Sequence, residues 1–549
     1  MSIKRRYSSS QYRHVGWLLI MCLLLYGLTR WYHLTMLPIH FDEIVYLDRV
    51  NRIVSRQDFF IGLRDDLRTG HLWVMALLWP LSPDRLWVGR FASSLAGLWG
   101  GVGVYKCGAL LFSNRRIGLL ASVFYLIVPG IFFYDRMALA DSLLTTCGIW
   151  ILYGSAAYFQ GTAKRLAWWM APVVALAMIT KPNGFLFLSI PALGYVLLRD
   201  YLKRGPPIGP LRGETGFRPA APRKNRLCTG SASFRIPWGL VSKLLSVLPL
   251  LVGGGIGVAL ISPFLGNTQG MLWGKAGAGN ISGWSDLARR FGQNLILSAD
   301  WLVSLVSLPM ILLAVGGLVL ALYSRETRRQ AVWLALVGLV QWLFMALVSE
   351  VWYPRYLLPV APSMVLLAAY AAYRLTRLSL KAPWRVASAV ALVALMWPAY
   401  TADFWLLVDP SRAPLHPEES RQYIRGWPSG YGLAEVVAFL GSLADEYQEV
   451  YVAYNEDSIM VRRGLAYYMS DPPANIEFES FDPFEGGTVE KLNAMAADRP
   501  TFVVLNSAHE KGLDDFILNP DAFPQARRAF RVTRPGGLTS WDVYQWIPR

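Results

Sequence analysis

Long apolar stretches occupy most of the chain before Asp409. Val15–Leu28, Leu244–Phe264 and Val386–Leu407 are the clearest of them. The last two approach the roughly 20 residues that a helix needs to cross a bilayer, and the first does so with its flanks. Because lipid offers the backbone no hydrogen-bond partners, we expect each stretch to be helical. The pattern predicts about eleven spans, over residues 15–35, 86–112, 117–134, 141–159, 166–181, 184–200, 238–264, 300–323, 331–349, 356–373 and 385–407.

Charges in the connecting loops predict the side of the membrane that each loop faces. Basic residues precede the first span, and no small-residue cleavage site follows it, so we expect an uncleaved helix that starts in the cytoplasm. The loops after even-numbered spans are rich in Lys and Arg, which is the positive-inside pattern. The longest of them holds eight basic residues against Glu214. These loops are Ser113–Arg116, Gln160–Arg165, Tyr201–Pro237, Ser324–Gln330 and Arg374–Trp384.

The loops on the opposite side hold acids, and an odd number of spans places the C-terminal region on that exterior side. The acids are Asp42, Glu43, Asp48, Asp58, Asp65, Asp66, Asp135 and Glu350. The sequence therefore predicts a multi-pass protein of the cell (plasma) membrane. Its N-terminus is cytoplasmic and its C-terminal region is exterior.

After Asp409 the pattern changes to short alternating helices and strands. Helices are predicted at Leu433–Tyr447, Ser458–Met469 and Thr488–Ala497, and strands at Glu449–Tyr454, Asn475–Glu479, Thr501–Leu505 and Trp541–Trp546. Such alternation favours a small α/β domain with parallel strand pairs. We therefore divide the chain into a transmembrane domain, 1–408, and an exterior α/β domain, 409–549. The glycine-rich segment 426–432 is a turn that aims the next helix or, less favoured by its spacing, a phosphate loop.

Composition removes two other classes of protein. Charged residues make up 16% of the chain and hydrophobic residues 54%, whereas soluble proteins contain about 25% charged residues. The net charge of +16 does not indicate nucleic acid, because much of it lies in short loops between apolar stretches. The four cysteines have neither disulfide-framework nor zinc-ligand spacing.

The exterior loops contain three acids that could perform chemistry. Asp42 and Glu43 follow the first span, and Asp141 begins the fourth. In a water-filled cleft such carboxylates act as a general base or hold a divalent cation, and Asp42 and Asp141 are the metal candidates. The alternatives are an ordinary solvated loop for the pair and a helix cap for Asp141.

Three cations share that face. Arg136 lies between spans three and four, Lys181 between five and six, and Arg355 between nine and ten. Lys181 and Arg355 each either snorkel to the interface or meet a phosphate. Arg136 either forms an interfacial ion pair with Asp141 that caps the helix or is a further phosphate-binding candidate. Acids and cations together suit displacement at a sugar carbon that carries a phosphate leaving group, because cations stabilise the charge on the departing phosphate.

At these residues the sequence resembles the C-type glycosyltransferases (GT-C). It is most similar to the branch that holds the dolichyl-phosphate-mannose protein mannosyltransferases and the aminoarabinose transferase of lipid A. The resemblance spans residues 15–375. It is carried by Asp42-Glu43, Gly70-His71-Leu72-Trp73, the Arg90–Gly97 run, Arg136…Asp141, Lys181-Pro182-Asn183-Gly184 and Arg355-Tyr356-Leu357-Leu358-Pro359.

The resemblance implies a helical fold with an exterior cleft, a lipid-phosphate-linked donor and inversion at the anomeric carbon. It implies that Asp42 is the catalytic or acceptor-orienting acid with Glu43 as its partner, and that Asp141 is the second acid of the cleft. Lys181 and Arg355 then lie near the donor phosphate. Around His71 the sequence departs from the family's Pro-Pro pattern, so His71 is either a site residue or an interfacial aromatic.

A membrane-anchored donor also makes physical sense, because nucleotide sugars are scarce outside the cell. The expected partners are a polyprenyl-phosphate sugar, a lipid, protein or glycan acceptor, and membrane lipids, with no nucleic acid. No cofactor is specified beyond the divalent-metal candidates. Two alternatives remain, a transporter or flippase and a receptor or scaffold that acts through 409–549. Transporters usually place their charges at the bilayer midplane and often show inverted repeats, whereas the charged motifs here lie at loop ends.

Overall fold

The computed structural model describes residues 9–160, 166–204, 252–264, 284–378, 382–455, 458–469, 472–481, 488–506 and 524–548. Most of the basic loop 201–237, with Cys228, lies outside the described residues, as does the first part of predicted span 238–264. The described part contains a helical bundle followed by a sheet domain. The bundle consists of α1 Ser9–Trp31, α2 Phe41–Arg56, α3 Ile61–Asp66, α4 Gly70–Leu78, α5 Arg85–Leu111, α6 Arg115–Ile127, α7 Pro129–Asp135, α8 Asp141–Phe159, α9 Leu166–Thr180, α10 Ser189–Arg204, α11 Val252–Phe264, α12 Trp284–Val306, α13 Leu308–Leu322, α14 Arg328–Val348, α15 Ala361–Leu378, α16 Ala382–Leu395 and α17 Trp397–Val408.

Proline breaks several of the apolar stretches. By length and composition four described helices can cross a membrane, or up to seven if each bent pair counts as one span. The pairs α6–α7, α12–α13 and α16–α17 bend by 65°, 101° and 49°. Each second helix carries a proline in its first two positions, where the missing N–H costs no hydrogen bond. Predicted span 300–323 is therefore not one straight helix, because the chain turns sharply at Ser307.

Small residues let the central helices approach closely. Helix α5 packs against α6 and α8. A Cβ atom added at Gly118 would lie 2.4 Å from the carbonyl oxygen of Tyr105, and one added at Gly108 would lie 2.9 Å from the Gly118 Cα atom. Membrane helices have little hydrophobic drive to associate with one another, so this close backbone contact supplies packing energy.

The C-terminal domain is a five-stranded mixed sheet with helices. Its strands are β1 Val450–Asn455, β2 Ile476–Phe481, β3 Thr501–Asn506, β4 Ala526–Thr533 and β5 Ser540–Trp546, in the order β2-β1-β3-β5-β4. Strand β1 pairs in parallel with β2 and β3, whereas β5 pairs antiparallel with β3 and β4. The helices are α18 Pro417–Ser420, α19 Leu433–Glu446, α20 Ile459–Tyr468 and α21 Thr488–Asp498.

Four predicted strands and the parallel pairing are present in the sheet, but β4 was missed. Strand β4 is an edge strand with three arginines, and none of its residues is fully buried. An edge strand buries little apolar area, so its sequence carries a weak periodic signal.

The sheet domain packs directly on α2 of the bundle and on the segment that precedes it. Arg463 of α20 forms an ion pair of 3.3 Å with Asp48 of α2. The backbone N–H of Phe41 donates to the carbonyl of Pro428 at 2.9 Å. A Cβ atom at Gly430 would lie 2.4 Å from the carbonyl oxygen of Ile39. The glycine-rich segment 426–432 is thus a turn fitted against the start of α2, as the favoured interpretation held.

Candidate active site

The first part of the site is Asp42 at the N-terminus of α2. His40 caps this helix, and its Nδ1 accepts a hydrogen bond from the Asp42 backbone N–H at 3.2 Å. The Asp42 carboxylate accepts from Arg355 Nη1 at 2.6 Å and remains 27% exposed. Burial raises the pKa of Asp42, but the charge of Arg355 and the neighbouring His40 outweigh burial and hold that pKa below its usual range. Asp42 is therefore an ionised acid at an accessible position.

Arg355 comes from a 3₁₀ segment, Pro354–Val360, that precedes α15. Its guanidinium carbon lies 5.2 Å from the Tyr353 ring centre and 6.0 Å from that of Tyr356. The Nε atom is buried and has no hydrogen-bond partner in the described structure. One edge of this guanidinium thus holds Asp42 while another donor remains for a ligand.

The second part of the site is the buried pair of Asp141 and Lys181. Asp141 begins α8, and Lys181 directly follows α9. Lys181 Nζ lies 2.7 Å from Asp141 Oδ1 and 4.7 Å from the Tyr356 ring centre. Because Tyr356 contacts Arg355 as well, the two carboxylate–cation pairs meet at one aromatic ring. The structure therefore brings four predicted residues from four separate loops to one end of the bundle.

Arg68 is a third cation of this cluster that the sequence analysis did not select. Its Nη1 donates to the Tyr46 hydroxyl at 3.3 Å. Its charge lowers the pKa of Asp42, which places it in the same electrostatic neighbourhood. Arg68 was obscured by the many charges of its loop. Its position two residues before α4 was the only sequence signal.

Glu43 does not share the accessible position of Asp42. Its side chain is fully buried against Arg90. Each of its two oxygens accepts from Arg90, at 2.9 and 2.7 Å, and they also accept backbone N–H groups from Ala138 at 2.7 Å and His40 at 2.9 Å. This arrangement leaves no face for a substrate. The placement does not support a catalytic Glu43 but fits a residue that positions Asp42.

Arg136 is also separated from the two phosphate-binding candidates. Its Nη1 atom donates to the carbonyls of Thr29, Arg30 and Tyr32 at 2.8, 3.1 and 2.8 Å, and Nη2 donates to His33 at 3.0 Å. These carbonyls lie at the C-terminal end of α1 or directly after it, where helix carbonyls lack intrahelical partners. Because both terminal nitrogens of Arg136 already donate to these carbonyls, its geometry does not support donor-phosphate binding.

His71 is 2% exposed, which excludes the interfacial alternative. Its Nε2 lies 3.5 Å from Ser93 Oγ, its ring centre lies 6.4 Å from that of Tyr46, and Nδ1 has no hydrogen-bond partner in the described structure. His71 is therefore buried inside the protein next to Tyr46 and Ser93.

Comparison with known proteins gives matches to one family model and to several solved structures of one fold. Residues 69–206 match the family model described as dolichyl-phosphate-mannose-protein mannosyltransferase. No curated protein matches the chain. ArnT from Cupriavidus metallidurans in the apo state is similar at a TM-score of 0.57 and 16% identity, over 97% of this chain and 98% of that chain. The chain has the GT-C fold.

Two further solved structures carry ligands. ArnT from Cupriavidus metallidurans bound to undecaprenyl phosphate gives a TM-score of 0.56 at 15% identity, over 96% of this chain and 98% of that chain. The oligosaccharyltransferase AglB from Archaeoglobus fulgidus, in complex with an inhibitory peptide and a dolichol-phosphate, gives 0.51 at 13% identity, over 97% and 74%. The GT-C fold predicted from the motifs is confirmed.

The donor atoms of this site do not suit the metal that the sequence suggested at Asp42 and Asp141. Asp42 is paired with Arg355 at 2.6 Å and Asp141 with Lys181 at 2.7 Å. Within the described ranges no three His, Cys, Asp or Glu side chains converge. A cation would have to displace two ion pairs for two carboxylates, so we assign no metal ligands.

Some buried polar atoms in and around the cluster have no hydrogen-bond partner in the described residues. Buried atoms without a hydrogen-bond partner in the described structure include His40 Nε2, His71 Nδ1, Arg355 Nε and the Tyr423 hydroxyl. Each such atom costs on the order of 1–3 kcal/mol unless a ligand or water completes it. Arg355 Nε and the Tyr423 hydroxyl are therefore donors that a polar ligand bound beside Asp42 could satisfy.

Proposed function

We propose that this GT-C protein transfers a sugar from a polyprenyl-phosphate donor to an acceptor hydroxyl, with inversion, on the exterior side of the membrane. The observation that carries the proposal is the meeting of the Asp42–Arg355 and Asp141–Lys181 pairs at Tyr356. A displacement at carbon needs a proton acceptor on one side and stabilised negative charge on the other. This cluster offers both.

Asp42 is the proposed base. As the acceptor oxygen bonds to the anomeric carbon, the bond from that carbon to the phosphate oxygen breaks. The acceptor's proton passes to the Asp42 carboxylate, and the bonding electrons leave on the phosphate. One direct displacement inverts the anomeric carbon. The products are the glycosylated acceptor and a polyprenyl phosphate.

Lys181 and Arg355 are the proposed phosphate ligands. An Arg presents several donors in a planar fork, so Arg355 can hold Asp42 through Nη1 and offer Nε to a phosphate oxygen. Asp141 orients the Lys181 ammonium through their 2.7 Å contact. The undecaprenyl phosphate in ArnT and the dolichol-phosphate in AglB support a lipid-phosphate ligand for this fold.

Glu43 is proposed to position Asp42 without contacting the substrate. It ties the start of α2 to Arg90 and to the backbone at Ala138. Asp42 directly precedes Glu43 in the same helical turn, so these contacts fix where its carboxylate points. His40 adds the N-terminal cap.

The loop charges support an exterior site in the plasma membrane. Lys- and Arg-rich loops alternate along the chain with the loops that carry the site. Labelling of single cysteines placed beside Asp42 and Lys181, after replacement of the native cysteines, tests this orientation. Both must react with an impermeant reagent on intact cells. Labelling from opposite sides would end the proposal.

Mass spectrometry of surface glycans and glycolipids tests the activity. A deletion strain should lack one sugar modification that wild type carries, and a strain with Asp42→Asn should lack the same modification. Asp58→Asn, an exterior acid whose ion-pair partner is Arg64, is the matched control and should retain it. A normal profile in the Asp42→Asn strain would remove Asp42 from the mechanism.

A further inference from the structure

Tyr423 is a site residue that comes from beyond the membrane helices. It lies on a single π-helical turn, Arg421–Arg425, between α18 and the glycine-rich turn. The Ser429 hydroxyl donates to the Tyr423 carbonyl at 3.0 Å, which fixes the backbone of this turn. The side chain is 2% exposed. The segment that leads into the sheet domain therefore places an immobilised phenol against the bundle.

Its ring packs between elements that build the site. The Tyr423 ring centre lies 4.4 Å from that of His40, the cap of α2, and 4.9 Å from that of Phe133 in α7. Arg355 is the charge that acts most strongly on Tyr423, followed by Asp42 and Asp141. The phenol thus shares the neighbourhood of both proposed catalytic pairs.

The hydroxyl of Tyr423 has no hydrogen-bond partner in the described structure. Nearby Tyr134 shows the contrasting case, since its hydroxyl donates to Glu419 at 2.8 Å. Burial raises the pKa of Tyr423 well above its ordinary value, so its proton is retained and can be donated. A buried donor held in place without an acceptor is expected to meet one on a ligand.

We propose that Tyr423 is a further substrate-binding residue whose hydroxyl donates to a phosphate oxygen of the lipid-linked donor beside Arg355. This inference rests on the proposed function. A phosphate is the favoured acceptor because Arg355 is the charge that acts most strongly on Tyr423, and Arg355 is itself a proposed phosphate ligand. The sheet domain's leading segment then completes the donor site rather than only covering it.

Binding of undecaprenyl phosphate to the full-length protein in lipid nanodiscs tests the proposal. Tyr423→Phe removes only the hydroxyl and should weaken binding about tenfold or more, because a hydrogen bond to a charged group is lost. Tyr447→Phe is the matched control, since it lies at the end of α19 with its ring 5.9 Å from that of Phe502 in the sheet. It should bind like wild type. Undecaprenol, which lacks the phosphate, should bind all three proteins equally.

Thermal unfolding without lipid separates ligand binding from a structural role. Tyr423→Phe should unfold at the wild-type temperature or slightly above it, because an unpartnered hydroxyl leaves the interior. The assignment would be overturned if Tyr423→Phe bound undecaprenyl phosphate as tightly as wild type does. It would also be overturned if the substitution weakened binding of undecaprenol as much as binding of undecaprenyl phosphate. If wild type itself does not bind undecaprenyl phosphate, the proposed function fails and this inference fails with it.

Discussion

Asp42 and Glu43 are adjacent in the chain, yet their environments differ in two respects. Glu43 is fully buried, and each of its oxygens accepts from both a guanidinium and a backbone N–H. Asp42 is 27% exposed and has a single side-chain ion pair, to Arg355. A single helical turn thus carries both a saturated carboxylate and an accessible one.

The difference gives the two adjacent acids different roles, one structural and one available to a substrate. A saturated buried ion pair resists change, because its desolvation is offset only by complete hydrogen bonding. An acid with spare acceptor capacity next to an incompletely bonded arginine can exchange partners when a substrate arrives. The saturated pair therefore supplies the rigid base on which the reactive pair is positioned.

The largest expected effect is on activity, from Asp42→Asn. A positioned general base contributes about 10²–10⁴-fold, so transfer should fall by about that factor. Thermal unfolding should change less than in Glu43→Gln, because the Asp42 side chain is part-exposed whereas that of Glu43 is fully buried. A transfer assay on the purified protein together with its melting temperature measures both. Strong destabilisation with normal specific activity would assign Asp42 the role we give to Glu43.

The next effect is on stability, from Glu43→Gln. Removing one partner of a buried pair leaves Arg90 uncompensated and should cost about 3–5 kcal/mol of unfolding free energy. Thermal unfolding of the purified protein measures the loss. Asp48→Asn, on the same helix but in part-exposed ion pairs, should cost about 1 kcal/mol or less. Equal losses in the two variants would contradict the contrast.

Glu419 extends the comparison to a buried acid with only neutral partners. Burial raises its pKa from 4.5 to about 7, outweighing hydrogen bonds from Tyr134 and Ser304. A carboxyl whose folded pKa is raised stabilises the protein below its unfolded pKa, and this stability is lost as pH rises through the folded value. Between about pH 4.5 and 7 wild type should lose about 1–3 kcal/mol that Glu419→Gln does not. Parallel melting-temperature curves for the two proteins would refute this.

The smallest expected effect is on donor affinity, from Lys181→Ala. Loss of one cation from the phosphate site should weaken use of the lipid donor about tenfold and leave use of the acceptor nearly unchanged. Dependence of the transfer rate on each substrate separates the two. Lys106→Ala, an exposed lysine of α5 near Tyr153, should leave both unchanged. Unaltered donor dependence in Lys181→Ala would remove Lys181 from the phosphate site.

Much of the fold was predictable because it depends on local patterns. Apolar length marked the helices, and alternating strands marked the sheet domain. Sharp bends were harder to see. The 101° turn between α12 and α13 depends on Ser307 adopting a φ of 74° before Pro309, and average hydropathy does not register a single residue's conformation.

The candidate site divides in the same way. The sequence selected four charged residues at loop positions, and the structure places them together: Asp42, Asp141, Lys181 and Arg355. Arg136 shares both properties, yet it caps α1 through four backbone carbonyls. Tyr423 shares neither, since it lies in a different domain. Partners in space cannot be deduced from spacing along the chain.

The sequence by itself determined that the chain is a multi-helix membrane protein with an α/β domain, and which loops carry acids and cations. Apolar length and loop charge are properties of short segments, so they can be determined directly from the sequence. Only the tertiary structure decided which carboxylates are saturated and which are accessible. That depends on long-range contacts, such as Glu43 with Arg90 and Tyr423 with His40, that form only when distant segments fold onto one another.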